Sequence, residues 1–249
     1  MTSKNFTPES RLRKWLCRNL RGLTTRFTHT NKSIAMTRQR PLCVILDNGH
    51  GCGTPGKRSP VWQAGVQLME YEFNRAVVNR AMSGLDKAGI KCSRLVPEAE
   101  DISVSMRIVR ANRLVSAANK DGFQCVLVSV HAIASPVAKR PGTGFEVLTS
   151  KGRTRSDDLA EMFYSQAEST YLKNFRMRRD LADGDSDKET NAVSILPKTH
   201  CPAVLTENLF MDNEKDCMLL LSGFGRDMIA EMHVEAIRDY ARKYAGYVS

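Results

Sequence analysis

Four side chains in this sequence are of types that bind a metal ion or move a proton: His50, Glu70, His131 and Glu207. His50 ends the run Val44-Ile45-Leu46-Asp47-Asn48-Gly49-His50-Gly51, where a short β-branched apolar stretch, read as a buried strand, breaks into a polar turn. The two glycines let the backbone turn sharply and leave little bulk beside the imidazole. His131 and Glu207 directly follow similar apolar runs at 124–130 and 203–206, and Glu70 opens an amphipathic stretch. Two imidazoles and one carboxylate are a common donor set for catalytic zinc, with the fourth position left to water. The second glutamate would then be free to take that water's proton. Taken singly, each residue also suits a plainer role in a turn or as a satisfied buried polar group. The case for a site is the recurrence of the pattern.

For these residues to meet, strand ends must share an edge, and the order of elements from Pro41 onward provides one. A strand at 42–47 leads through a polar loop, 48–65, to a helix at about 70–88, whose stripe of Phe73, Val77, Ala81 and Leu85 ends at Gly89. A strand at 90–96 stops before Pro97, and a helix over 103–120 takes Asp101 or Ser103 as its cap. The strand at 124–130 is the most apolar and is expected to be central. A loop (134–143), a strand (144–149), a helix (156–171), a charged loop (174–192), a strand (203–206) and a helix (225–244) complete the chain. This alternation predicts an α/β fold, a single doubly wound and mostly parallel sheet flanked by helices. In such sheets ligands bind beyond the C-terminal strand ends, where His50, His131 and Glu207 are expected. His233 falls on the apolar stripe of the last helix and reads as core. The Asp183-Gly184-Asp185-Ser186-Asp187 segment lacks the spacing and terminal glutamate of an EF-hand loop.

Composition limits the function classes. The formal charge of +10 suggests nucleic acid until it is located: residues 1–40 hold ten Lys and Arg against Glu9 alone, so +9 belongs to this extension and +1 to the remainder. The globular part, 41–249, therefore gives no electrostatic case for nucleic acid. Within the extension, Leu12, Trp15, Leu16, Leu20 and Leu23 share a helical face, so residues 9–27 read as a basic amphipathic helix suited to an anionic membrane surface. The same stretch reads equally as disordered, or as residues preceding a start at Met36. It lacks the continuous apolar core of a secretory signal, and no stretch approaches a membrane span. The seven cysteines are scattered, without a Cys-x-x-Cys pair, as in a chain made in a reducing cytoplasm.

Four motifs then occur in order: Asp47-Asn48-Gly49-His50-Gly51, Glu70-Tyr71-Glu72-Phe73-Asn74, Ser129-Val130-His131-Ala132 and Pro202-Ala203-Val204-Leu205-Thr206-Glu207-Asn208. Together they resemble the zinc-dependent N-acetylmuramoyl-L-alanine amidases of the amidase-3 family, over about residues 42–242. Arg107, Ala111-Asn112, Asp212-Asn213 and Asp216 look like further family positions. The segments 54–58 and 149–152 resemble the versions carried by Bacteroidetes and their phages. The resemblance implies that His50, Glu70 and His131 bind Zn2+ and that Glu207 is the catalytic glutamate. It also implies hydrolysis of the amide between the lactyl group of N-acetylmuramic acid and L-alanine in peptidoglycan. Asn48 stands where the family has proline, and Ile133 where it has asparagine, which bears on the turn and on substrate contacts. The loops 48–65, 133–143 and 174–192 are candidates to line the groove. A rival reading keeps the fold as a non-catalytic peptidoglycan-binding or regulatory module. A stem peptidase of the His-Glu-x-x-His type is not supported, because that motif is missing. With no recognisable signal peptide, an enzyme of this kind is expected to reach the wall through a pore-forming partner, lysis or another route.

Overall fold

The computed structural model describes residues 39–135 and 142–248, so the basic stretch 9–27 lies outside the described residues. The α-helices and β-strands of the described residues are numbered here in chain order: β1 (Leu42–Asn48), α1 (Glu70–Lys87), β2 (Lys91–Arg94), α2 (Val104–Lys120), β3 (Gln124–Ile133), β4 (Phe145–Thr149), α3 (Arg155–Ser169), β5 (Lys188–Glu189), α4 (Ile195–Lys198), β6 (Ala203–Phe210), α5 (Glu214–Leu221) and α6 (Gly223–Tyr244). The strands form one sheet in the order β2-β1-β3-β6-β4-β5. β2, β1, β3 and β6 run parallel, while β4 runs antiparallel to β6 and parallel to β5.

Strand residues alternate between two apolar layers, so the central strands are apolar on both faces. Val44, Leu46, Val126 and Val128 pack with Phe73, Val77, Ala81 and Leu85 of α1 and with residues of α3 and α6. Cys43, Ile45, Cys125, Leu127 and Leu205 pack with Ala111, Val115 and Ala118 of α2 and with α4. The cysteines thus act as small apolar side chains. α1 ends at Gly89, whose φ of 69° lets Ile90 N–H bond back to the Leu85 carbonyl. α2 is capped by Ser103, which accepts from Met106 N–H, and not by Asp101. After β1 the chain first pairs β2 on one side and then places β3 on the other. β1 and β3 therefore flank a topological switch point, the usual place for a ligand crevice.

The sheet is mixed at one edge for a structural reason. Among the described residues no helix separates β3 from β4, and a parallel return needs such a crossover, in keeping with β4 running back the other way. The region 174–192, a charged loop by sequence, is in part built into the fold. Arg178 N–H bonds to the Phe145 carbonyl, Ser186 and Asp187 are buried, and Asp187 accepts from the Thr149 hydroxyl. Arg178, Arg179 and Glu189 also have partners within the fold, so these charges do not force it into solvent. Among the described residues no helix is long and apolar enough to cross a membrane.

Candidate metal centre

His50 from the turn after β1, Glu70 from the start of α1 and His131 of β3 meet at the C-terminal edge of β1 and β3. Gly49 N–H still bonds to the Val130 carbonyl (3.2 Å), which extends the ladder one residue past β1. The chain then turns at His50 itself, which takes a left-handed φ of 64°, unusual for a residue with a side chain. The flanking glycines are needed for space instead. A Cβ on Gly49 would stand 2.1 Å from Cε1 of His131, and one on Gly51 would stand 2.1 Å from the Asp101 backbone nitrogen. The two imidazoles meet edge to face with centroids 4.8 Å apart.

Glu70 is fully buried at the first position of α1, whereas Glu72 is exposed, so the helix presents only one of them to the site. Glu70 Oε1 lies 3.1 Å from His131 Nδ1 and 3.3 Å from His50 Nε2. The ligand atoms of the three residues all fall within 4.8 Å of one another. His50 Nε2 and Glu70 Oε2 are buried without a hydrogen-bond partner. Two imidazole nitrogens and a carboxylate facing one point, with donor atoms left unpaired, fit a zinc ion.

The surroundings hold this set in place. Arg107 of α2 is buried and donates to Asp47 (2.5 Å) and to the carbonyls of Asn48 (3.1 Å) and His50 (3.0 Å). Asp47 also accepts from the Ser129 hydroxyl (2.6 Å), which ties β1 to β3 beneath the histidines. Asn74 donates to the Gly49 carbonyl (3.0 Å) and Asn208 to the His131 carbonyl (2.9 Å). His233 is core, as its position on the stripe suggests. Its Nδ1 donates to the Ile229 carbonyl (2.7 Å), which leaves Nε2 to accept from the Thr206 hydroxyl (2.9 Å). The amide of Asn48 is buried and unpartnered at both atoms. Asp47, Ser129 and Lys57 lie within the motifs and segments read from the sequence but were given no role of their own there. For Asp47 a signal existed: a carboxylate inside an apolar strand has to be paired.

Glu207 and His131 correct one expectation. Neither stands past a strand end, because β3 continues to Ile133 and β6 to Phe210. They face each other in register, and the irregularity follows immediately, as a bulge between His131 and Ile133 and a left-handed Leu209 (φ 69°). Both line a cleft of about 550 Å³ together with Asp47, His50, Lys57, Ile102 and Val193. The loop 48–65 contributes to this lining and 174–192 contributes Ala192, but the described part of 133–143 does not; residues 101–104 and 193–195 take its place.

The two glutamates are driven in opposite directions. Burial would raise the Glu70 carboxyl, but contacts with His131 and His50 hold it far below the usual range. Burial pushes Glu207 up to about 8; His131 opposes this, and Glu70 and Glu146 add to it. Burial would lower His131, yet Glu70 raises it above its ordinary value. A carboxylate kept ionised between imidazoles suits a ligand, and a neighbouring carboxyl with proton affinity near neutral pH suits an acid or base.

Comparison with known proteins follows the same outline. A model of the Amidase_3 family, described as N-acetylmuramoyl-L-alanine amidase, matches residues 44–239. The endolysin of Bacillus phage SPP1 is 29% identical over 201 residues, covering 79% of this chain and 65% of that protein. The chain thus spans less than two thirds of that relative. The crystal structure of an N-acetylmuramoyl-L-alanine amidase from Clostridium difficile 630 superposes with a TM-score of 0.66 at 23% identity, over 82% of this chain and 98% of the other. An N-acetylmuramyl-L-alanine amidase from Mycobacterium smegmatis gives 0.64 at 20% identity, over 83% and 99%. At these identities the superpositions establish a shared fold.

Proposed function

The chain belongs to the Amidase_3 family of N-acetylmuramoyl-L-alanine amidases, and on that premise we propose that it hydrolyses the amide between the lactyl group of N-acetylmuramic acid and L-alanine in peptidoglycan. The observation that carries this reading is Glu207 set in register with His131 beside the His50–Glu70–His131 cluster, inside one cleft. His50, Glu70 and His131 would hold Zn2+. When bound, zinc polarises the scissile carbonyl and brings the pKa of water toward ~7. Glu207 accepts the proton of the attacking water and returns it to the departing alanine nitrogen. Its low-dielectric setting and high proton affinity suit both transfers. Arg107, Asn74 and Asn208 fix the backbone carbonyls of the histidine-bearing segments, so the imidazoles are oriented before substrate arrives. The catalytic unit is assigned to residues 41–249, acting on the cell wall.

The test is mass spectrometry of purified muropeptides incubated with zinc-loaded protein. Release of a stem peptide with a free L-alanine amino terminus supports the reading. Cleavage within the stem, or none, opposes it.

A further inference from the structure

The two oxygens of Glu70 have different neighbours. Oε1 faces both imidazoles, at 3.1 and 3.3 Å, and Ala132 N–H also points to it at 3.3 Å. Oε2 has no hydrogen-bond partner, and the cation near it is Lys57, whose Nζ stands 3.9 Å away. The lysine is placed there by the backbone. Ser59 N–H bonds to the Leu68 carbonyl (2.9 Å), Arg58 bridges Met69 in antiparallel fashion, and Glu70 N–H bonds to the Lys57 carbonyl (3.1 Å). The Ser59 hydroxyl closes the ladder by accepting from Leu68 N–H (2.8 Å). This ladder ends at Lys57 and Glu70 themselves, so the side chain of Lys57 starts from a fixed point next to the buried carboxylate. Lys57 also lines the cleft that holds His50, His131 and Glu207.

We propose that Lys57 is a positioning residue for the metal: it pairs with Oε2 of Glu70, so that only Oε1 is presented to the ion. The inference rests on the reading of Glu70 as a zinc ligand. Its physical basis is competition for one carboxylate. A glutamate with both oxygens free can chelate through both, which raises the coordination number and occupies space needed by water. A lysine on one oxygen keeps ligation single and the ion four-coordinate. The ammonium group also withdraws charge from the carboxylate, leaving the ion more electrophilic. In this role Lys57 acts through Glu70, its ion-pair partner at 3.9 Å.

Cobalt reports this directly, because four-coordinate Co2+ absorbs visible light several-fold more strongly than the five-coordinate ion. The full-length chain and its K57M and K57R variants are each loaded with Co2+, and spectra and metal affinity are recorded without substrate. The wild type and K57R are expected to give the strong four-coordinate spectrum. K57M is expected to give the weak five-coordinate one and to hold the metal at least as tightly, because the second oxygen is freed and a cation beside the ion is gone. An unchanged K57M spectrum overturns the proposal, whatever happens to turnover. Failure of the wild type to bind cobalt overturns both the proposal and the ligand assignment beneath it. A normal set of spectra with no muropeptide cleavage supports the role of Lys57 and opposes only the proposed activity.

Discussion

His131 on β3 and Glu207 on β6 are direct register partners in the central parallel pair of the sheet. One belongs to the buried cluster that fits a metal, and the other is the carboxyl whose proton affinity burial raises to about 8. The ladder fixes the spacing of these two residues without any loop, while His50 and Glu70 reach the cluster from the turn after β1 and the first position of α1. The bulge that follows His131 opens the sheet edge just beyond this pair.

Gly49 should be far less replaceable than Gly53. An added Cβ would collide with the His131 ring at 2.1 Å, while Gly53 has nothing within 4 Å of such an atom. Gly49→Ala is expected to lower stability by about 1–3 kcal/mol through overpacking and to weaken zinc binding. Gly53→Ala should change neither. Urea unfolding and metal analysis of both variants check this, and similar behaviour of the two would remove the steric argument.

Glu70 and Glu72 lie two residues apart on α1, so they point about 200° from each other. Glu70→Ala should purify without stoichiometric zinc, and Glu72→Ala should retain it. Elemental analysis of the two proteins decides the register. Retention by the first and loss by the second would place the metal elsewhere.

The raised Glu207 carboxyl has a signature in the metal-free protein. Its ordinary value is 4.5 and its folded value about 8. Between these the native state holds a proton that the unfolded state has lost, so this group's contribution makes stability fall as pH rises through that window. Glu70 and His131 titrate in both proteins, so the difference between them reports Glu207 together with the push it exerts on His131. The unfolding free energy of the wild type relative to this variant should therefore drop between pH 4.5 and 8, by on the order of a few kcal/mol, and be level outside it. Denaturant unfolding in the presence of chelator measures it. A level difference throughout would mean that Glu207 ionises like an exposed carboxylate.

The parallel core was legible because its strands are short β-branched runs separated by helical stripes; Val44, Ile45 and Leu46 could hardly be anything but a buried strand. His50, Glu70, His131 and Glu207 were legible as types following such runs. The mixed edge was less so, since nothing local in 145–149 says on which side of β6 the strand pairs. The burial of Asp187 was hidden because its partner, Thr149, is distant in sequence. Strand ends were misjudged at His131 and Glu207, where polar residues continue a strand whose neighbours satisfy them. The left-handed turn at His50 was also invisible, because two glycines beside it looked better suited to that conformation.

The central claim is that Glu207 moves a proton next to a metal held by three other residues. Its most direct test is Glu207→Gln, assayed by mass spectrometry of muropeptides with zinc content measured on the same sample. The variant keeps size and hydrogen bonding but cannot accept a proton. Cleavage should slow by about two to four orders of magnitude while zinc remains bound at the wild-type ratio. Near-normal cleavage, or loss of zinc restored by adding more, would contradict the account.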